Sequence, residues 1–290
     1  MTDYSKMYWI QNMTPLHVGT GKGIGFVDVP IVREKITNWP YVPGSTIKGV
    51  MRDHFTSKGT DEKIINAAFG INKNENTNAG CLIMTDAHMV CFPVRSLYGT
   101  FAYVTSPIAL ERLRRDLEVT GYENIPQTPE TAEDKALNTK DSVLTQNGKI
   151  FLEELDFNSD KNGSAEEWAD FISQIIYKDD PVWQKLFRER FAILSDNSFN
   201  FISETGTEVS AHIKINNDKK VAEDGGLWYE ETLPPEALLF GLVWCDRIFG
   251  KYDTDKEAIL NTFCNDDLNL QIGGKATVGK GRVKCLFSQG

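Results

Sequence analysis

Residues 205–233 read TGTEVSAHIKINNDKKVAEDGGLWYEETL. Val209, Ala211, Ile213 and Ile215 alternate with Glu208, Ser210, His212 and Lys214. That period of two places successive side chains on opposite faces of a strand. The run Asn-Asn-Asp-Lys-Lys at 216–220 supplies a turn, and the return limb regains its pattern at Leu227 after Gly225 and Gly226. The segment therefore predicts a long β-hairpin with polar residues along one face.

The flanks mix strands and helices. Residues 5–18, SKMYWIQNMTPLHV, read as a strand, and GTGKGIGF at 19–26 must be a loop, because four glycines cost a regular element too much entropy. VDVPIVREK (27–35) alternates around Asp28, with Pro30 limiting it to an edge or a loop. PGSTIKGVMRDHF (43–55) predicts a helix capped by Ser45, with Ile47, Val50, Met51 and Phe55 on one face and Lys48 and Arg52 on another. Further strands are expected at 81–94 and at KIFLEELDF (149–157), and a helix capped by Ser106 with Pro107 in its first turn. Residues 121–148 are polar and read as a loop insertion. Two helices follow near 165–177 and 181–191. After the hairpin come a buried strand, EALLFGLVW, a helix starting at Thr254, a glycine-rich loop and the strand RVKCLF. No βαβ rhythm repeats, so the expected class is α+β.

A chain of 290 residues with 41% apolar content can bury a real core, which excludes whole-chain disorder. MTDYSKMYWIQNM has neither a basic nor an apolar leader region. The longest apolar run, ALLFGLVWC, is far short of the roughly 20 residues that span a bilayer. The expectation is a soluble, cytoplasmic protein with no membrane partner. Five cysteines without a CxxC indicate neither a disulfide framework nor a zinc ribbon. Cys81, His88 and Cys91 offer metal-ligand types, but on one strand His88 points away from the other two.

The net charge of −10 argues on average against a nucleic-acid partner. Yet no acidic residue lies between Lys35 and Arg52, or from Gln271 to the end. Lys48 and Arg52, one turn apart, repel by about 0.2–0.5 kcal/mol in an isolated helix, a sign that a polyanion would reverse. Two cationic islands on an acidic chain suggest a phosphate-binding face built from both chain ends.

Nucleotide motifs fail on inspection. GTGKGIGF is not G-x-G-x-x-G and precedes no helix. GKATVGKG (274–281) satisfies G-x-x-x-x-G-K, but Gly281 stands where a hydroxyl should hold magnesium, and a strand follows where a helix is needed. Its backbone N–H groups and lysines can still bind phosphate. None of the histidines (17, 54, 88, 212) sits near a nucleophile elbow. His17, just before the glycine loop, could face a site.

Five stretches taken together resemble the repeated backbone subunit of type III-B (Cmr) CRISPR effector complexes, one of the RAMP proteins. They are LHVGTGKGIGFVDVPIVREK, YVPGSTIKGVMRD, FPVRSLYGTFAYVTSP, GGLWYEETLPPE and IGGKATVGKGRVK, in the family's order from about residue 16 to 284. The resemblance implies one domain over 1–290: a ferredoxin-like or RNA-recognition-like palm, an insertion at about 121–200, and a projecting hairpin thumb at about 205–233. It implies copies stacked along a CRISPR guide RNA with other Cmr subunits, and a single-stranded target RNA cut at regular intervals in antiviral defence. Guide contacts are implied for Ser45, Lys48 and Arg52, for Arg95 and Ser96, and for Gly274, Lys275, Lys280 and Arg282. Tyr98 departs from the lysine expected there. Asp28 is implied as the catalytic residue and the ligand of Mg²⁺ or another divalent cation, with His17, Tyr229, Glu230 and Glu231 as helpers. The target's 2′-hydroxyl would attack in line and leave a cyclic phosphate. Two alternatives stay open: a non-catalytic structural subunit of the same filament, and a nucleotide-binding enzyme using 274–281.

Overall fold

The computed structural model describes residues 4–21, 27–73, 76–215 and 222–290. The first strand spans Ser5–Asn12 (β1) and is buried along nearly its whole length. It ends earlier than expected because the N–H groups of Met13 and Thr14 both turn toward the Arg282 carbonyl. Gly44–Ser57 forms α1, Ala87–Arg95 β2, Leu238–Cys245 β3, Lys256–Phe263 α2 and Arg282–Ser288 β4. The strand order is β4-β1-β3-β2, with every neighbouring pair antiparallel. This 4-1-3-2 arrangement with two crossover helices is the ferredoxin-like βαββαβ palm.

Both faces of the palm are covered, which explains why β1 is apolar rather than alternating. Tyr8 and Ile10 face the core formed with Ile47, Met51 and Phe55 of α1 and Phe263 of α2. Met7 and Trp9 face a second core with Leu110, Leu113 and Leu117 of the helix Pro107–Val119 and Trp168 and Ile172 of the helix Gly163–Ile176.

Beyond β2 the sheet continues through Phe101–Thr105, Phe191–Ile193, Lys135–Asn138 and Leu155–Lys161. The stretch 121–148 is thus not only a loop. Lys135–Asn138 buries Ala136 and Leu137 by pairing with strands on either side. The expected strand 81–94 is two pieces, Leu82–Met84 and β2, and the first pairs with β3.

Helix caps divide into those that match and those that do not. Ser106 accepts from the Ala109 N–H, as expected. Ser45 does not cap α1: Pro43 occupies the cap position and Ser45 lies exposed in the first turn. The last helix begins at Lys256, because Asp255 rather than Thr254 caps it.

The hairpin forms from Glu208–Ile215 and Ala222–Thr232, and its turn at 216–221 lies outside the described residues. Val209, Ile213, Ile215, Leu227 and Tyr229 are all exposed, since the hairpin projects without a covering layer. Among the described residues no helix is long and apolar enough to cross a membrane.

Trp168 is fully buried, with its indole N–H on the Gln127 carbonyl at 3.0 Å. Trp168→Ala is expected to lower stability by about 3–5 kcal/mol, read as a fall in the urea midpoint.

Candidate RNA-binding and catalytic site

The base of the hairpin is where distant parts of the chain meet. On one side Val29 bridges it: its N–H donates to the Tyr229 carbonyl and its carbonyl accepts from the Glu231 N–H, both at 3.1 Å. Leu16 and Leu233 exchange two hydrogen bonds of 2.9 Å. The glycine-rich terminal loop then docks on residues 15–17: the Gly274 N–H donates to the His17 carbonyl at 2.9 Å and the Gly281 N–H to the Pro15 carbonyl at 2.8 Å. Glycine is required at 273, where φ is +78° and a Cβ would fall 2.2 Å from the His17 carbonyl oxygen.

Asp28 is exposed, and its Oδ2 accepts from the Tyr229 N–H at 2.8 Å. Segments on both sides of Asp28 bear on the same strand. Ile31 N–H donates to Glu231 Oε2 at 3.1 Å, and Arg33 meets Glu231 Oε1 at 2.5 Å while reaching the Ser203 carbonyl. Glu34 ties the following turn to the palm. It accepts from His88 of β2 at 2.6 Å, from Arg112 at 2.9 Å and from Thr37 at 2.5 Å, and Arg112 also lies over the Trp39 ring. Burial would raise the Glu34 carboxyl, but the hydrogen bonds from His88, Thr37 and Arg112 outweigh it and hold it at about 2. A cleft of about 480 Å³, lined by Thr20, Val27, Arg33, Lys35, Val209 and Glu231 among others, opens between this segment and the hairpin.

His17 is buried, and its Nδ1 lies 2.7 Å from the Glu231 carbonyl. A carbonyl only accepts, so Nδ1 carries the hydrogen and, in the neutral ring, Nε2 keeps its lone pair. Nε2 faces Gly19, where a Cβ would fall 2.7 Å from it. Glu230 is almost wholly buried. Its Oε1 accepts from Lys275 Nζ and from the Trp228 indole, each at 2.6 Å, and Lys280 Nζ stands 3.4 Å from Oε2. His212, stacked on Trp228, lies 3.4 Å from the same oxygen. Burial works against ionisation of Glu230, but Lys275 and Trp228 overcome it and hold the carboxyl at about 2.

The structure thus brings together Asp28, His17, Tyr229, Glu230, Glu231, Gly274, Lys275 and Lys280. Arg282 borders them, with its N–H on Thr14. Other expected guide contacts lie apart. Ser45, Lys48 and Arg52 sit on α1, where Lys48 donates to the Leu82 carbonyl at 2.6 Å and Arg52 reaches Asn66. Burial lowers the Lys48 ammonium from its ordinary value. Arg95 is exposed at the end of β2, whereas Ser96 is buried and donates to the Phe151 carbonyl. The glycine loop at 22–26 lies outside the described residues. Arg33, Glu34, His88 and Arg112 support the site without any sequence signal, because nothing in their local spacing shows that they converge.

Among the described residues no three His, Cys, Asp or Glu side chains form a metal cage. Cys81 instead faces Cys245 at 3.5 Å, and Cys91 is fully buried. Asp28 stands as a single exposed carboxylate. That fits a Mg²⁺ ion held by one protein oxygen and completed by substrate phosphate and water.

A family profile of the RAMP superfamily matches residues 9–284. A curated relative, the CRISPR system Cmr endoribonuclease Cmr4 of Pyrococcus furiosus, is 36% identical over 97% of this chain and 94% of its own. The crystal structure of oligomeric Cmr4 from the same organism superposes with a TM-score of 0.76 at 29% identity, covering 99% of both chains. A type III-B Cmr-beta complex bound to cognate target RNA holds a chain with the same fold, at a TM-score of 0.76 and 20% identity over 98% of this chain and 97% of that one. The chain belongs to the RAMP superfamily and, within it, to the Cmr4 family.

The depressed Glu34 carboxyl has a pH consequence. Its folded value lies below the unfolded one, so its stabilisation is complete above about pH 4.5 and is lost as pH falls toward 2. Up to about 3 kcal/mol is involved. Between pH 6 and pH 3 the wild-type Tm is expected to fall more than that of Glu34→Gln.

Proposed function

We propose that this chain is the repeated guide-binding backbone subunit of a type III-B effector, and that it cuts guide-paired target RNA beside Asp28. The observation that carries this reading is the placement of Asp28. It is an exposed carboxylate hooked to Tyr229 at the root of a projecting hairpin, with the lysines of the terminal loop paired to the next residue, Glu230. The hairpin's exposed aliphatic and aromatic side chains suit a wedge that opens base steps. The adjoining cleft is of a size to receive a displaced nucleotide. Guide and target would be recognised by backbone and shape, with base pairing reading the sequence.

The chemistry follows from positioning. The 2′-hydroxyl oxygen attacks the adjacent phosphorus in line with the 5′-oxygen. As the P–O2′ bond forms the 2′-hydroxyl gives up its proton to solvent and the P–O5′ bond breaks, leaving a 2′,3′-cyclic phosphate and a 5′-alkoxide that takes up a proton from solvent to become a 5′-hydroxyl. Asp28 would hold a divalent cation, which supplies charge neutralisation at the phosphate. The Tyr229 N–H fixes the Asp28 carboxylate. His17 holds the carbonyl of Glu231 and packs against Gly19 and Gly274. Glu231 clamps Arg33 and Ile31, keeping the Asp28 segment on the hairpin. Glu230, held at about 2, is a weak proton acceptor near neutral pH, which favours a positioning role.

A structural subunit without cleavage would share every feature except the need for Asp28. The assembled complex with labelled complementary RNA separates the two. Asp28→Asn is expected to lose about 10³-fold in cleavage rate, roughly 4 kcal/mol of transition-state stabilisation, while target affinity persists. Unchanged cleavage would move the active site elsewhere.

A further inference from the structure

The terminal loop holds its two lysines unequally. Lys275 has φ +66°, a left-handed conformation uncommon for a residue with a side chain, and its ammonium lies 2.6 Å from Glu230 and over the Trp228 ring at 5.9 Å. Its side chain is 37% exposed, that of Lys280 15% and that of Glu230 2%. The carboxylate is therefore inside and the ammonium groups lie between it and solvent. Any phosphate approaching from solvent meets lysines already turned toward an internal anion. Two lysines against one carboxylate leave a single net positive charge.

We propose that Glu230 is a specificity-determining internal counter-anion, which withholds one lysine charge of the terminal loop from stray polyanions. It rests on the proposal that this loop faces RNA phosphate. A buried carboxylate cannot leave with the salt as a counterion does, so the lysine charge it takes up is lost to counterion release. A loose RNA strand thus sees about one phosphate contact where the sequence shows two lysines. Only a strand held in register elsewhere on the subunit brings enough further contacts to engage the loop tightly. The carboxylate also ties the loop to the hairpin root, so the loop stays docked when no RNA is bound.

The test measures binding of a labelled single-stranded oligouridylate to the full chain across a salt series, alongside thermal melting. Glu230→Gln is expected to steepen log K against log salt by about 0.7, one additional single-strand phosphate. Its affinity advantage over wild type then grows by about 2.6-fold for each fourfold dilution of salt. The double variant Glu230→Gln/Lys275→Gln removes the buried charge and its partner together, so it keeps the fold if the single variant does not. Its slope is expected to match wild type, because Lys280 is then free. An unchanged or flatter slope in Glu230→Gln, or a double variant that loses about 0.7 relative to wild type, overturns the proposal and leaves Glu230 as a structural tie. Failure of the underlying reading looks different: wild type and Lys275→Gln/Lys280→Gln would then bind the oligouridylate alike.

Discussion

One short length of backbone, residues 229–233 at the root of the hairpin, carries the geometry of the candidate site. It pairs with its own first limb, and it is also bridged by Val29 and Leu16. The terminal loop reaches it indirectly, through the Gly274 N–H on His17 and through Lys275 on Glu230. Four segments scattered across the chain are thus referred to one strand. Backbone hydrogen bonds do this well because they are directional and their loss in a buried setting is costly. A side chain placed on any of the segments inherits a defined position relative to the rest. Asp28, itself exposed, is fixed only by this arrangement.

The same root, with the turn that follows Arg33, holds several acids against internal partners. Glu230 and Glu231 are buried carboxylates and Glu34 is a partly buried one; Glu230 is matched by Lys275 and Lys280, Glu231 by Arg33, and Glu34 by Arg112 with a hydrogen bond to His88. Buried ion pairs add little net stability against apolar alternatives, and removing one partner is expensive. Their value here is registration, since a charge that must find its partner allows few alternative dockings of the hairpin. Net charge is nonetheless a poor guide to partners in this chain, because charge is unevenly distributed: no acidic residue lies from Gln271 to Gly290.

Features governed by local chemistry were legible in the sequence. The alternation at 208–215, the stripe Ile47, Met51 and Phe55, and the cap at Ser106 all appear where their spacing places them. Features governed by pairing across the chain were not. Lys135–Asn138 has only two apolar residues, and it is a strand because of the neighbours it slots between. Ser45 reads as a cap by residue type, yet Pro43 occupies the cap position of α1, two residues earlier. For the site, the resemblance pointed to Asp28 and the terminal lysines. The bond from Tyr229, 201 residues away, and the convergence of Glu34, His88 and Arg112 carry no local signature. Ser96 shows the opposite failure, a polar residue that the resemblance implies as a guide contact and packing hides.

The single carboxylate at Asp28 carries a last implication for control. A site with one protein oxygen cannot assemble a tight magnesium shell alone, since that ion prefers six ligands in near-octahedral order and keeps its waters readily. In the proposed reaction Asp28 would hold the ion together with water and the scissile phosphate, and in-line attack would further require that the RNA backbone be bent. That bend is not stored in Asp28 or in the braced segment behind it. On the proposed reading it would come from the hairpin prising a paired strand apart, so chemistry at Asp28 would depend on a duplex being present. A lone RNA strand can drift past the carboxylate without offering its phosphate at the required angle. On that reading, the sparse ligand set of the protein would help to make cleavage conditional on guide pairing.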